Sequence, residues 1–344
     1  MFKQKVKRIA EKGADSFTEK LMLPFLSLAS LGYSLVVSVR NLFYSLGVAR
    51  SKKLPFPVMS VGNVTWGGTG KTPFVKFLGT KINNIGKDLL VLTRGYSHDE
   101  VGELKKALHF AKVGVGKDRY KAAMDVVEQP LPHIAILDDG FQHRKLEKDI
   151  EIVLINGCCP FGSGHLIPLG SLREPLNKLK KADMVVITHA DQMKDGVEEN
   201  IRKTLKQSGF TGDVLKAEHV AVHLTRCSSQ ERIDLEFLRS KTAGCLSAIG
   251  SPESFYHKVE TLGAKIKKKY EFLDHHDFSL NELRKIQRDR ASGLFEEIVI
   301  TEKDYSRLPE MITSILDPLV LVIELKLISG EDVLDDRLHR LLHH

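Results

Sequence analysis

The chain has 344 residues, 42% of them hydrophobic and 28% charged, with 51 lysines and arginines against 44 aspartates and glutamates. That composition belongs to an ordinary globular protein with room for two domains, and it excludes a fibrous, collagenous or wholly disordered chain. Four cysteines (Cys158, Cys159, Cys227 and Cys245) with no CxxC pair exclude a disulfide framework and point to reduced thiols in a cytosol-facing protein.

The formal charge of +7 sits at one end. Residues 1–53 hold ten basic side chains (Lys3, Lys5, Lys7, Arg8, Lys12, Lys20, Arg40, Arg50, Lys52, Lys53) and three acidic ones (Glu11, Asp15, Glu19), which leaves 41 of each sign elsewhere. The same end contains an uncharged, mostly apolar run from Leu21 to Val39. As one helix this run spans ~28 Å, close to the hydrocarbon thickness of a bilayer. Ser27, Ser30, Ser34, Ser38, Asn41 and Ser45 recur at three- and four-residue intervals and so share one stripe. A narrow polar stripe, a broad apolar face and basic flanks predict a helix lying in an anionic membrane surface, in preference to a spanning helix or one packed on a soluble body. Pro24 is expected near its start, where proline is tolerated. The run begins too late for a cleaved signal peptide. The basic residues border an apolar helix rather than studding an aromatic face, so no nucleic-acid partner is expected.

Phe56 to Val61 reads as an apolar strand running into Gly62-Asn63-Val64-Thr65-Trp66-Gly67-Gly68-Thr69-Gly70-Lys71-Thr72, and Pro73 opens a helix to about Ile85. Strand, glycine-rich turn and helix are the context of a phosphate-binding P-loop. Backbone N–H groups of Thr65, Trp66, Gly67, Gly68, Thr69 and Gly70 would cradle phosphate oxygens at a helix N-terminus. Lys71 would reach the β- and γ-phosphates, and the Thr72 hydroxyl would ligate Mg²⁺. Thr65 stands where the strict G-x-x-x-x-G-K-[ST] pattern has its first glycine. A plain glycine turn is the alternative; the intact Gly70-Lys71-Thr72 end favours the nucleotide.

Short apolar runs follow at Leu89–Leu92, Ile134–Leu137, Ile150–Ile155 and Met184–Thr188, with helical or turn segments between them. Such strands suit a parallel sheet covered on both faces, and hence a doubly wound α/β domain. A polar stretch at 207–213 and the run 214–224 lead into a second unit with strands at 244–249, 298–301 and 319–325. The expected fold is α/β, a P-loop NTPase-like doubly wound parallel sheet with a second, smaller α/β domain and an N-terminal amphipathic membrane helix. Its expected parts are 1–50, 51–213 and 214–344.

Several loops carry chemistry. Asp99-Glu100 follows the second strand and reads, by itself, as a solvated loop. Lys117-Asp118-Arg119-Tyr120-Lys121 reads by default as solvated charge, though Arg119 could stabilise a transferring phosphoryl group or grip a phosphorylated substrate. Asp138-Asp139 ends a buried strand, where an acid helps hold Mg²⁺ or its waters, and Gln142, His143 and Arg144 crowd the same edge. Arg173-Glu174 precedes Pro175, and Glu174 is a candidate Mg²⁺ ligand. Asp274-His275-His276-Asp277 reads equally as a surface loop or as a functional cluster; zinc is disfavoured because no cysteines are near.

Together the segments SVGNVTWGGTGKTP, LTRGY, KDRYKAA, ILDDGFQHRKLEKDIEIVLI, GSLREPL, FLDHHDFS and ITEKD occur in the order found in the tetraacyldisaccharide 4'-kinase family, which the chain resembles over roughly residues 20–305. The family's P-loop also lacks the first strict glycine. The resemblance implies a membrane-associated kinase of lipid A biosynthesis at the cytoplasmic face of the bacterial inner membrane, peripheral or monotopic. It would move the γ-phosphate of ATP to the 4'-hydroxyl of an acylated glucosamine disaccharide 1-phosphate, giving lipid IVA. It implies that Lys71 and Thr72 hold phosphate and Mg²⁺, with Glu174 completing the metal site. Asp138, Asp139 and Gln142 would orient metal waters and the γ-phosphate. Asp99 would be the general base, tuned by His275 from the second domain on domain closure. Glu100, Arg119, His143 and Arg173 would line the phosphate and substrate cleft. The family's Gly-Asp-Glu-Pro around that base reads His98-Asp99-Glu100-Val101 here.

Two rival readings remain at this stage. Val185-Val186-Ile187-Thr188-His189-Ala190-Asp191 resembles a guanine-specifying strand end with histidine in place of lysine, and Thr301-Glu302-Lys303-Asp304 is a poorer match. These would suit a GTP-dependent switch or metallochaperone on the same fold. A non-catalytic membrane adaptor with a degenerate P-loop is the other.

Overall fold

The computed structural model describes residues 6, 8–11, 13–95, 98–274 and 276–343, with the side chains of 98–100 outside the description. Two compact units emerge. The first comprises 1–96, 104–218 and 327–344; the second comprises 97–103 and 219–326.

The first unit is built on a parallel sheet. Its strands are β1 (Val58–Asn63), β2 (Leu89–Thr93), β3 (Lys112–Val115), β4 (Ile134–Asp138), β5 (Ile150–Asn156), β6 (Met184–Thr188) and the start of β7 (Asp213–Arg226). They lie in the order β7-β6-β5-β1-β4-β2-β3. Val58 pairs with Ala135 on one side of β1, and Met59 with Ile150 on the other. Every residue of β1, β2 and β6 is buried, which is why β2 and β6 read as apolar runs up to their final threonines. Winding reverses at β1: the chain builds β2, β3 and β4 to one side, then crosses to β5. Ligands of doubly wound sheets sit at the carboxyl ends of strands at such a reversal, and the glycine-rich turn leaves β1 there. One face packs Val153, Ile155, Val185 and Ile187 against Ile201 and Leu205 of α5 (Val197–Ser208), and the strand register puts Val58, Leu90, Leu92, Ala135 and Leu137 on that same face in a second cluster.

The helix after the turn is α2 (Lys71–Asn84), followed by α3 (His98–Ala107) and α4 (Arg119–Met124). Asp99 and Glu100, expected in a loop, have helical backbone in α3. Strand β3 escaped the sequence reading because it is an edge strand with mixed burial and no apolar run.

The N-terminal helix α1 runs from Phe17 to Ser45, 29 residues, opened by a capping box. Ser16 Oγ accepts from Glu19 N at 3.3 Å and Glu19 Oε2 accepts from Ser16 N at 3.0 Å. The helix starts earlier than the apolar run suggests, so Pro24 lies inside it rather than at its start, at an outward-facing position. The polar stripe divides: Ser30 and Asn41 are buried against the body, whereas Ser27, Ser38 and Ser45 are exposed. The opposite face carries Phe17, Leu21, Phe25, Leu28, Leu31, Leu35, Val36 and Val39 into the open, Phe25 at 75% exposure. Among the described residues α1 is the one helix long and apolar enough to cross a membrane.

The strands of the second unit run parallel in the order β10-β9-β11-β12. Its strands are β9 (Thr242–Ser247), β10 (Lys265–Glu271), β11 (Glu297–Thr301) and most of β12 (Leu319–Ser329), while β8 (Arg232–Ile233) pairs antiparallel with the end of β7. Helices α6 (Pro252–Thr261), α7 (Leu280–Ala291), α8 (Glu302–Tyr305) and α9 (Pro309–Leu316) connect them. Beyond β12, α10 (Glu331–His343) groups with the first unit, although the sequence reading assigned all of 214–344 to the second domain. Lys81 of α2 pairs with Glu331 at 2.7 Å and Asp335 at 2.8 Å, and Arg337 with Asp213 at 3.0 Å. Those contacts depend on charges far apart in sequence, which no local pattern discloses.

Candidate active site

Gly70 caps α2 in the left-handed conformation (φ 79°), so the chain turns sharply and the first N–H groups of the helix stay open for an anion. Gly67 is left-handed too (φ 90°), and a Cβ there would meet nothing within 4 Å, so the loop borders open space. Gly62 has the opposite constraint: a Cβ would come to 2.5 Å from Phe141.

Three polar side chains at strand ends brace this loop from beneath. Asn63 Nδ2 donates to Thr69 Oγ1 at 3.0 Å, Asn156 Nδ2 to Gly68 O at 2.9 Å, and Thr188 Oγ1 to Thr69 O at 3.0 Å. Each occupies a carbonyl or hydroxyl on the loop's inner side. Sequence reasoning missed Asn63 and Asn156 as site residues; their one signal is position, at the carboxyl ends of the two strands nearest the turn. Thr188 drew attention as part of a guanine-like strand end, and the structure uses it to hold the P-loop instead.

Above the loop lies an ion-paired cluster. Arg173 Nη1 and Nη2 donate to the two oxygens of Asp139 at 2.7 and 2.9 Å, and Nη1 also to Asn63 Oδ1 at 3.1 Å. Lys71 Nζ stands 3.6 Å from Asp139 Oδ1. Burial raises the Asp139 pKa, but the Arg173 hydrogen bonds and the charges of Lys71, Arg173 and Arg119 outweigh it, giving about 2. Asp139 is therefore an anion at neutral pH. Asp138 accepts from Thr93 Oγ1 at 3.0 Å. Gln142 Nε2 donates to Asn63 O at 2.7 Å, while its Oε1 and the Nε2 of His143 have no hydrogen-bond partner among the described residues. Burial, then the neighbouring Arg119 charge, lowers His143 to about 4, so its imidazole is neutral. Arg119 is itself buried and donates to Lys117 O at 3.2 Å.

The structure thus brings together Thr65 through Thr72, Asp139, Gln142 and Arg173, with the fields of Arg119 acting on Asp139 and His143. It places Glu174 differently from the expected metal ligand. That carboxylate is 1% exposed, with Oε1 on Arg40 and Oε2 accepting from Asn41 Nδ2 at 3.2 Å, so both oxygens are engaged by α1. Among the described residues no three carboxylate, imidazole or thiol groups form a ready-made metal cage. That suits Mg²⁺, which is usually held by one or two protein oxygens plus phosphate and water. The donor set of Thr72 and Asp138, the open glycine cradle and the unsatisfied Gln142 oxygen fit a metal–triphosphate; Glu174 does not.

In the second unit, Asp304 accepts from Ala248 N at 3.1 Å and Thr301 Oγ1 at 2.7 Å and pairs with Arg307 at 3.1 Å. Burial pushes its pKa up. This fully buried node is structural, and Asp304 is not free to read a guanine. Lys303 binds Asp274 at 3.2 Å, and Arg307 Nη1 donates to His276 O at 3.3 Å. The His276 ring stacks on Phe272 (centroids 4.6 Å) and meets Glu282 at 3.2 Å. His275 and the side chains of Asp99 and Glu100 lie outside the described residues.

Comparison with known proteins gives this arrangement a family. The family model for tetraacyldisaccharide-1-P 4'-kinase (LpxK) matches residues 22–343. A probable mitochondrial tetraacyldisaccharide 4'-kinase of Arabidopsis thaliana is 34% identical over 338 residues, covering 88% of this chain and 85% of the relative. The tetraacyldisaccharide 4'-kinase of Syntrophus aciditrophicus is 34% identical over 332 residues, covering 88% of each. Among solved structures, LpxK from Aquifex aeolicus, crystallised in complex with ATP, superposes with a TM-score of 0.67 at 28% identity, covering 94% of this chain and 99% of that one. Neither the GTP-switch nor the adaptor reading survives these matches. The chain belongs to the tetraacyldisaccharide-1-P 4'-kinase family and is a kinase with a hydroxyl acceptor.

Proposed function

We propose that the chain transfers the γ-phosphate of ATP to the 4'-hydroxyl of a tetraacyldisaccharide 1-phosphate, yielding lipid IVA. The single observation that carries this reading is the Lys71–Asp139–Arg173 cluster above an open, left-handed glycine cradle. Two cations held at one carboxylate form a preorganised positive field where a terminal phosphoryl group would lie. The loop N–H groups and Lys71 bind the β- and γ-phosphates. Thr72 and Asp138 are the residues that would hold Mg²⁺, which would supply positive charge to offset that of the phosphates. Gln142 presents its unsatisfied oxygen at the same edge. Arg119 and neutral His143 line the phosphate and substrate side, with Glu100 assigned there by its family motif. Asp99 takes the acceptor proton, tuned by His275. A carboxylate suffices because phosphoryl transfer is loose and the proton departs late, so positioning outweighs base strength.

The exposed apolar face of α1 supports a membrane partner. Its flanking Lys20, Arg50, Lys52 and Lys53 suit anionic headgroups, and we infer peripheral or monotopic attachment at the cytoplasmic face of the inner membrane, where ATP is present. No nucleic-acid role is assigned.

The test is transfer of labelled γ-phosphate from ATP to purified acylated disaccharide 1-phosphate in detergent micelles. Lys71→Ala is expected to lower kcat by about 10²–10³-fold, the scale of losing one preorganised charge. Asp99→Ala with undiminished turnover would remove Asp99 as the base.

A further inference from the structure

Segment 166–174 lies between the membrane helix and the P-loop. On one side it meets the nucleotide turn: Trp66 N donates to Ser171 O at 2.8 Å, Thr65 bridges Leu172, and Arg173 N donates to Val64 O at 2.7 Å. On the other it is gripped by α1. Ser30 Oγ donates to Leu166 O at 2.9 Å, Tyr33 OH to Arg173 O at 3.0 Å, and Arg40 and Asn41 take the two oxygens of buried Glu174. Arg173 is therefore held at both its N–H and its carbonyl, with its neighbour locked, while its guanidinium grips Asp139 in two places.

We propose that Arg40 and Asn41 are positioning residues for the phosphate site. By fixing Glu174 they fix the backbone at Arg173, and through its fork they set where Asp139 and Lys71 stand. Glu174 then serves as the receptor of the membrane helix and not as a metal ligand. A bidentate arginine–carboxylate pair tolerates little displacement, so a shift of the 171–174 backbone is transmitted to Asp139. The assignment rests on the P-loop reading of the function.

The experiment compares Arg40→Ala, Glu174→Gln and the double variant in the γ-phosphate transfer assay, with Mg²⁺ titrated. A second readout is the emission of Trp66, the one tryptophan of the chain, without nucleotide or metal. Each single variant is expected to lower kcat by about tenfold or more, to leave the half-saturating Mg²⁺ within about twofold, and to shift Trp66 emission. The double variant is expected to be no worse than the worse single one, because residues in one network couple rather than add. Wild-type turnover in Arg40→Ala overturns the proposal, as do multiplying effects, unshifted Trp66 emission in both variants, or a rise in half-saturating Mg²⁺ confined to Glu174→Gln. If Arg40→Ala does not fold, Glu174→Gln carries the same readouts: a kcat loss with unchanged Mg²⁺ demand and shifted emission supports the proposal, and a raised Mg²⁺ demand overturns it. Should the wild type transfer no phosphate, the parent reading fails, while the Trp66 emission still tests the connection from α1 to the turn.

Discussion

Asp139 sits in left-handed backbone (φ 53°), a conformation that costs a non-glycine residue energy and persists where surrounding contacts enforce it. The Arg173 fork supplies that enforcement. Asp139→Asn removes the charge both cations are held against, and is expected to reduce kcat about 10²-fold in the transfer assay. The linked stability has a definite sign. A carboxyl depressed from 3.8 to about 2 contributes its full stabilisation above its ordinary pKa and loses it as pH falls through 2. His143 acts in a milder range. The fold keeps it neutral to about 4 while the unfolded chain protonates it near 6.5, so stability declines as pH falls between those values. His143→Gln is expected to flatten the decline of Tm from pH 6.5 to 4; an unchanged slope refutes this. The residues legible in the sequence were those whose type announces chemistry: Lys71, Thr72, Asp138 and Asp139. Asn63 and Asn156 were not legible, because an asparagine beside a glycine looks like turn chemistry until the sheet order sets both under the loop. Glu174 reads in the sequence as a metal ligand, and its contact with Arg40 was not legible, because that partner lies 134 residues away in sequence.

At the scale of elements, the buried strands were readable because a parallel sheet covered on both faces demands continuous apolar side chains, as in β2 and β6. Edge strands obey no such demand. Strand β10, Lys-Ile-Lys-Lys-Lys-Tyr-Glu, looks too charged to be a strand, yet its exposed lysines suit an edge that resists pairing with another chain. Helix α1 was found in the sequence, but the role of its polar stripe was only half visible: Ser30 and Asn41 bind protein, not water. Replacing outward Leu28, Leu31 and Leu35 with Ser is expected to abolish co-sedimentation with anionic vesicles while leaving Tm within about 2 °C, since exposed substitutions away from packing change stability little. Retained binding would place the membrane contact elsewhere.

For the whole molecule, β7 carries the chain out of the first unit and β12 brings it back, so α10 completes the unit that the P-loop begins. Leu334 and Leu338 of α10 are buried, at 0% and 2% exposure. Leu334→Ala is expected to cost about 2–5 kcal/mol in denaturant unfolding, against a change within about 0.5 kcal/mol for Leu280→Ala, whose side chain is 49% exposed.

That return path sets an order of events during synthesis. Translation delivers the greasy α1 some three hundred residues before the helix that closes the unit around α2 and β7. At about 5–20 residues per second, the nascent chain spends tens of seconds with its lipid-seeking end outside the ribosome and its last helix unmade. Bilayer capture during that interval would park the polypeptide beside its future acceptor before the enzyme is whole, and would keep the exposed apolar side chains of α1 out of reach of other nascent proteins.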